Sequence, residues 1–389
     1  MDERTGFATR CIHAGEAPDP STGAHGVPLY QNVTYAFRSA EQVEAMRAGE
    51  VPHFTYSPRG NPTVRCLELK MANLEEAETA VATASGKAAI GATLLSLLAD
   101  GGHVVASDEL YEMTRACLER DLPSYGGRAT FVDASDLAAI EAAIEPGTQA
   151  IYVEPVSNPL LRVADIPAIA EIAHRHGLLL VVDNTFLSPA LLRPLPLGAD
   201  IVLHSATKYL SGHGQVQGGF VCGRRDAVER IRGKMMMLGG QMPPFAAWTL
   251  LASIKTLPLR MERHGANALA VARQLAAHPA VAGVNYPGLE CHPSHEVACR
   301  MLDGGRLGFG GMVSFTLEGG RAASGRFLNA LSLCTIAVSL GDASTLVWPW
   351  HDRDLIRLSV GIEDGTDLER DIAAGLAAVE TAATVAAVR

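Results

Sequence analysis

The sequence predicts an α/β protein with a mostly parallel central sheet, a smaller C-terminal α/β domain and an N-terminal arm. Three observations carry that expectation. Between residues 103 and 222, short apolar runs rich in β-branched residues alternate with helical patterns, as βαβ units require. At 389 residues the chain exceeds what a single core usually supports, so two domains are expected. Residues 1–60 lack regular periodicity and carry the turn-rich run APDPSTGAHGVP, which reads as an arm with one short helix near 40–48.

From residue 62 onward the pattern becomes regular. Helices are expected at 63–75 and 86–99, strands at 103–107 and 129–133, and a helix at 135–144. A strand at 149–154, a helix at 165–176 and strands at 178–183, 200–204 and 218–222 complete the alternation. Helical segments at 225–237 and 244–277 lead out of this unit. Strands near 281–286, 311–317, 334–338 and 355–360, with helices near 320–331 and 366–387, make the second. The expected division is therefore an arm at 1–60, a large domain at 61–255 and a C-terminal domain at 256–389.

Composition narrows the function classes. A hydrophobic fraction of 48% and a mean hydropathy of +0.14 fit a well-buried globular chain. No apolar run approaches the ~18 residues of a membrane span. Residues 1–20 carry charges and lack an apolar signal core. A net charge of -10 argues against a nucleic-acid partner, because a phosphate backbone calls for a basic face. The 7 cysteines are scattered without CxxC spacing, which points to free thiols in a reducing cytoplasm.

The chemistry concentrates in ADIVLHSATKYLSGHG, residues 199–214, preceded by LLLVVDNTF at 178–186. The chain's lysines are Lys70, Lys87, Lys208, Lys234 and Lys255, and only Lys208 directly follows a strand pattern. In open parallel sheets, chemistry gathers at the carboxyl ends of strands. Lys208 and the strand-end carboxylate Asp183 together are what pyridoxal phosphate requires. A lysine holds its aldehyde as a Schiff base, and an acid keeps its ring nitrogen protonated so that the ring can accept electrons. A phosphate cradle is offered by ATASGKAAIGATLL, where Ser85 and Gly86 open a helix whose unpaired N–H groups favour a dianion. Ser205 and Thr207 could add hydroxyl donors or cap a turn. A competing reading gives the glycines at 212, 214, 218 and 219 to a dinucleotide, although they do not open a helix directly after a strand.

The runs GFATRCIHAG, YSPRGNPT, TASGKAA, DELYEMT, YVEPVSNP, VVDNTFLSP, YPGL, AVSLGD and LIRLSVGIED occur in family order around this centre. Through them the chain resembles the Cys/Met-metabolism family of pyridoxal-phosphate enzymes over nearly its whole length. The resemblance implies the type I fold of pyridoxal-phosphate transferases. It makes Lys208 the Schiff-base lysine and proton shuttle, and Asp183 the partner of the pyridine nitrogen. Gly86 and Lys87 would meet the phosphate with backbone N–H groups, helped by Ser205 and Thr207, while Tyr111 stacks on the ring and protonates the leaving group. Arg357 would clamp the substrate carboxylate, with Asn158 and Ser339 nearby. Tyr56 and an arginine after it would reach a neighbouring subunit's phosphate, so a homo-oligomer is implied, a tetramer built as a dimer of dimers. Taken singly, Tyr111 reads equally as a core aromatic, Asn158 as a turn residue, Arg357 as half of an ion pair and Ser339 as a loop residue.

Several positions depart from the family pattern. The arginine after Tyr56-Ser57 is displaced by Pro58 to Arg59, and neighbours in an extended segment point in opposite directions. Lys87 stands where the family commonly has an uncharged residue and could replace the lost charge. Met113 occupies the place of a cysteine common in methionine γ-lyases. The segment ASTLVWPWHDRDLI is short, which leaves Trp348, Trp350 and His351 either as rim residues of the entrance or as a compact connection. Val338 replaces a glutamate frequent in cystathionine γ-lyases, which favours a neutral substrate side chain. The resemblance implies γ-elimination on a sulfur-containing or related γ-substituted amino acid, or alternatively γ-replacement on an O-acylhomoserine.

Overall fold

The computed structural model describes residues 5–98 and 101–387, so residue 99 of the expected helix 86–99 lies outside the described residues. A seven-stranded sheet contains β1 (Thr79–Thr83), β2 (His103–Ser107), β3 (Arg128–Val132), β4 (Thr148–Val153), β5 (Leu179–Asp183), β6 (Ile201–Ser205) and β7 (Gly219–Gly223). Its spatial order is β1-β7-β6-β5-β4-β2-β3. The five strands β2 to β6 run parallel, and β7 is antiparallel to both β6 and β1. Two reversals restore direction, so β1 ends at the same edge as β6.

Except at the edge strand β3, both faces of this sheet are buried, which explains why its other strands read as near-continuous apolar runs. Ile201 and Leu203 pack into a cluster with Val104, Tyr152 and Val181 on one face. Val202 packs with Val105, Ile151 and Val182 on the other. The strand period of two divides each run between two cores. β1 was not expected from sequence, because TAVAT is short, alanine-rich and lies between two helical patterns; five paired positions along β7 decide it.

The second sheet holds β8 (Val281–Asn285), β9 (Met312–Leu317), β10 (Thr335–Ile336), β11 (Leu346–Trp350) and β12 (Leu355–Ser359) in the order β10-β11-β12-β9-β8. Val313, Phe315, Val347, Ile356 and Leu358 point into a separate core with the helices Leu257–Ala276, Gly320–Ala330 and Gly365–Ala387. Alternation turns Ser314, Trp348, Trp350 and Arg357 to the opposite face.

Four expectations are corrected here. The strand near 334–338 shrinks to Thr335–Ile336, and the run taken as a connection or rim is itself strand β11. Proline within LVWPW argued against a strand, yet β10 pairs only with Leu346 and Val347, so the missing N–H of Pro349 falls where no neighbour needs it. The span 244–277 is two helices, Pro244–Ile254 and Leu257–Ala276, with Pro258 in the first turn of the second. A short helix, His295–Met301, lies in a stretch given no element.

Candidate active site

The carboxyl edge of the large sheet gathers the predicted residues. Asp183 ends β5 and Ser205 ends β6, while the helix Gly86–Leu98 starts just beyond β1. Ser85 begins that helix by accepting from the Ala88 N–H at 3.1 Å. Gly86 packs so closely on β6 that an added Cβ would stand 2.7 Å from Ser205 Cβ, so the cradle tolerates only glycine. The Ser205 hydroxyl thus faces the helix start, whereas the Thr207 hydroxyl is engaged with the Gly218 backbone, accepting from its N–H at 3.2 Å. Lys87 is exposed in the first helical turn. Its charge is free to meet an anion bound there.

Asp183 is buried and accepts from Thr185 twice through one oxygen, from the hydroxyl at 2.5 Å and the N–H at 3.1 Å. The Tyr152 phenol donates weakly to its other oxygen at 3.4 Å. Thr185 also accepts from the Ser205 N–H at 2.8 Å, tying β5 to β6 at their ends. A second buried carboxylate, Glu154, follows β4 and accepts from the Tyr111 N–H at 2.7 Å. Burial pushes both carboxyls up, and the neighbouring Asp183 charge pushes Glu154 up further. Asp183 receives the larger number of hydrogen bonds, which favour its charged form. Glu154 is therefore raised further above the ordinary carboxyl value than Asp183, whose hydrogen bonds from Thr185 and Tyr152 pull it back.

Lys208 Nζ donates to Ser339 Oγ at 2.6 Å, across 131 residues of sequence. Burial, and then the Arg357 guanidinium, draw its amine down from 10.5 to about 8. A cation that loses its proton this early reacts as a free amine near neutrality. In the cofactor-free chain, labelling of Lys208 by an amine-selective acylating reagent should rise about tenfold per pH unit up to about 8 and then level off. Peptide mass spectrometry checks this, and a rate still rising in proportion up to 10.5 would contradict it.

Arg357 is buried in β12 and donates to Asn158 Oδ1 at 2.9 Å and to the Ser339 carbonyl at 3.2 Å. Asn158 precedes the cis peptide to Pro159 in the loop after β4. Lys208, Ser339, Arg357 and Asn158 thus form one linked group between the two sheets. Tyr111, tied by its backbone to Glu154, is exposed, with its phenol held above the ordinary value by burial and by the adjacent Glu112 charge. That keeps it a proton donor.

Tyr56 and Arg59 are not brought into this group. Tyr56 is exposed in an isolated bridge to Thr34, and Arg59 ends a single 3₁₀ turn that lines a separate cavity of about 500 Å³ with Gln241, Arg232 and Arg65. The dinucleotide reading finds no support in the geometry. Gly212 and Gly214 form a left-handed loop between β6 and β7, and the run ends in a strand rather than a helix. The site residues missed in the sequence are Glu154 and Thr185. Each lies at or just past a strand end on the Asp183 edge, a position that could have marked them.

Known proteins resemble this chain over nearly its whole length. The description "Cys/Met metabolism PLP-dependent enzyme" fits residues 8–352. An O-succinylhomoserine sulfhydrylase of Pseudomonas aeruginosa is 43% identical over 97% of this chain and 96% of its own. An L-methionine γ-lyase of Pseudomonas putida is 44% identical over 96% and 98% respectively. The crystal structure of a cystathionine γ-lyase from Lactobacillus plantarum complexed with L-serine superposes with a TM-score of 0.89 at 38% identity, covering 97% of this chain and 100% of that one. Since a lysine, a buried carboxylate and a helix-start cradle meet at one sheet edge, and relatives match nearly end to end, the chain belongs to the Cys/Met-metabolism family of pyridoxal-phosphate-dependent enzymes.

Proposed function

We propose that this enzyme catalyses γ-elimination on a sulfur-containing or related γ-substituted L-amino acid, releasing 2-oxobutanoate, ammonia and a thiol or other leaving group. One observation carries the reading most directly. The Lys208 amine and the Arg357 guanidinium share Ser339, which places a proton acceptor beside a carboxylate clamp. An α-amino acid held by Arg357 therefore presents its Cα proton to Lys208.

The residues fit pyridoxal phosphate: the Gly86–Ser205 cradle excludes any side chain, and Asp183 is a buried carboxyl at the expected strand end. When bound, the cofactor supplies an electron sink for charge developing at Cα. Lys208 Nζ takes the Cα proton and is placed to take one from Cβ as well. Asp183 would hold the pyridine nitrogen in its protonated form, and Glu154 fixes the backbone of Tyr111. The Tyr111 phenol gives its proton to the departing γ-group. Backbone N–H groups of Gly86 and Lys87, with the hydroxyls of Ser205 and Thr207, would hold the phosphate.

γ-Replacement with a thiol is the second reading, favoured by Met113, whose thioether stands exposed beside Tyr111 and cannot act as a thiol. Incubating the holoenzyme with methionine, homocysteine, cystathionine and O-acetylhomoserine, with and without sulfide, separates the two. Elimination yields 2-oxobutanoate without sulfide; thiol-dependent products with no 2-oxobutanoate would overturn it.

Lys87 belongs to the same proposal as a phosphate cation supplied from within the subunit, while Arg59 and Tyr56 of the arm serve a neighbouring subunit in a cytoplasmic tetramer. The apolar arm residues Val33 and Tyr56, 58% and 46% exposed, support an arm covered by another copy. Replacing Lys87 by methionine should weaken cofactor retention about tenfold, the worth of a charge-assisted contact. Equilibrium dialysis of the cofactor measures this, and unaltered retention would refute the assignment.

A further inference from the structure

Two buried titratable groups beside Asp183 take no part in the mechanism above. Strand alternation sets Asp183 and its register partner Leu203 on one face of the large sheet, and His204, the next residue of β6, on the other. On that second face His204 Nε2 donates to Glu75 Oε1 at 2.5 Å, where the helix Pro62–Glu75 ends. The His204 side chain is 1% exposed and that of Glu75 0%, so water screens neither.

The same Glu75 oxygen accepts from Asn184 Nδ2 at 3.3 Å, and the Asn184 N–H donates to the Leu203 carbonyl at 2.9 Å. Glu75 thus ties the residue after Asp183 to the residue after its register partner, joining the ends of β5 and β6. A carboxylate withdrawn from water pairs with a cation or takes up a proton. Glu75 Oε2 is buried without a partner, so the imidazole and the Asn184 amide are what compensate this side chain. The imidazole contact is as short as a charge-assisted bond.

The consequence reaches Asp183. Burial drives that carboxyl toward its protonated form, in which it could not keep a ring nitrogen protonated; the Thr185 hydroxyl and then the His204 charge draw it back. We propose that Glu75 and His204 form a positioning pair for Asp183: Glu75 holds the His204 imidazole as a cation, and that cation keeps Asp183 ionised and able to hold the cofactor's ring nitrogen protonated. This rests on the role given to Asp183 above. Both residues act through Asp183, from the far face of the sheet.

The test reads the cofactor's ring and not turnover. Holoenzyme is reconstituted with pyridoxal phosphate carrying nitrogen-15 in its ring, and nitrogen and phosphorus NMR are recorded on one sample. In the unsubstituted enzyme the ring-nitrogen signal should sit at its protonated position. His204→Gln keeps a donor for Glu75 and removes the charge; it should move that signal toward the unprotonated position and leave the phosphorus signal in place. Glu75→Gln, which removes the charge that holds the imidazolium, should move the ring-nitrogen signal in the same direction. A ring nitrogen that stays protonated in either variant overturns the inference, as does a phosphorus signal that moves with it, the mark of a site disturbed as a whole. Neutron diffraction from the unsubstituted holoenzyme depends on no variant folding. Deuterium on both His204 ring nitrogens is expected, and deuterium on only one of them overturns the pair. An unsubstituted enzyme whose ring nitrogen is already unprotonated contradicts the role of Asp183 itself, and the inference falls with it.

Discussion

Replacing Lys208 by alanine should abolish turnover, lowering kcat by roughly 10⁴-fold or more, because in the proposed mechanism the same amine both anchors the cofactor and moves the Cα proton. The change should leave the fold intact. Lys208 makes one side-chain hydrogen bond, to Ser339, and its amine sits in the site rather than in either core. Two measurements separate loss of chemistry from loss of structure. Borohydride reduction followed by mass spectrometry should fix the cofactor to Lys208 in the wild type and to no residue in the variant. Circular dichroism should be unchanged. A variant that stays yellow and turns over amino acids as before would end the whole interpretation.

Replacing Arg357 by alanine should raise KM by about 10²- to 10³-fold, corresponding to roughly 3–4 kcal/mol for a buried charged partner. The guanidinium is buried and carries two structural hydrogen bonds, so part of the loss reflects Asn158 and Ser339 left without a donor. Arg357→Lys distinguishes the contributions. An ammonium restores the charge but not the planar fork, so recovery should be partial. Should Lys restore KM fully, charge alone matters and the bidentate clamp is wrong; should alanine leave KM unchanged, the carboxylate binds elsewhere.

Much of the seven-stranded sheet was legible locally. The run DIVLHSATK reads directly as strand, then loop, then lysine, because β-branched apolar residues give way to Ser and Thr. Asp183 announces itself in the same manner at the end of LLLVVD. β1 and β11 were illegible for a common reason. Each has a composition that disfavours a strand, alanine in one and proline in the other, and each exists because a neighbouring strand offers it a full ladder. The break between the helices at 254 and 257 was visible in principle at Pro258, but the apolar pattern continues through it.

The candidate site divides along the same line. Sequence by itself determined which groups are present and which of them end strands: Lys208, Asp183, the Ser85–Gly86 helix start and Arg357. Those assignments rest on periodicity and on family-ordered runs, both of which are local in the chain. Only the tertiary structure decided which groups meet. Lys208 reaches Ser339 over 131 positions, and Arg357 reaches Asn158 over 199. It also decided that burial pushes the Glu154 carboxyl up and draws the Lys208 amine down. Charge state and hydrogen-bond balance depend on what surrounds a group in space, and one residue's neighbours along the chain do not contain that information.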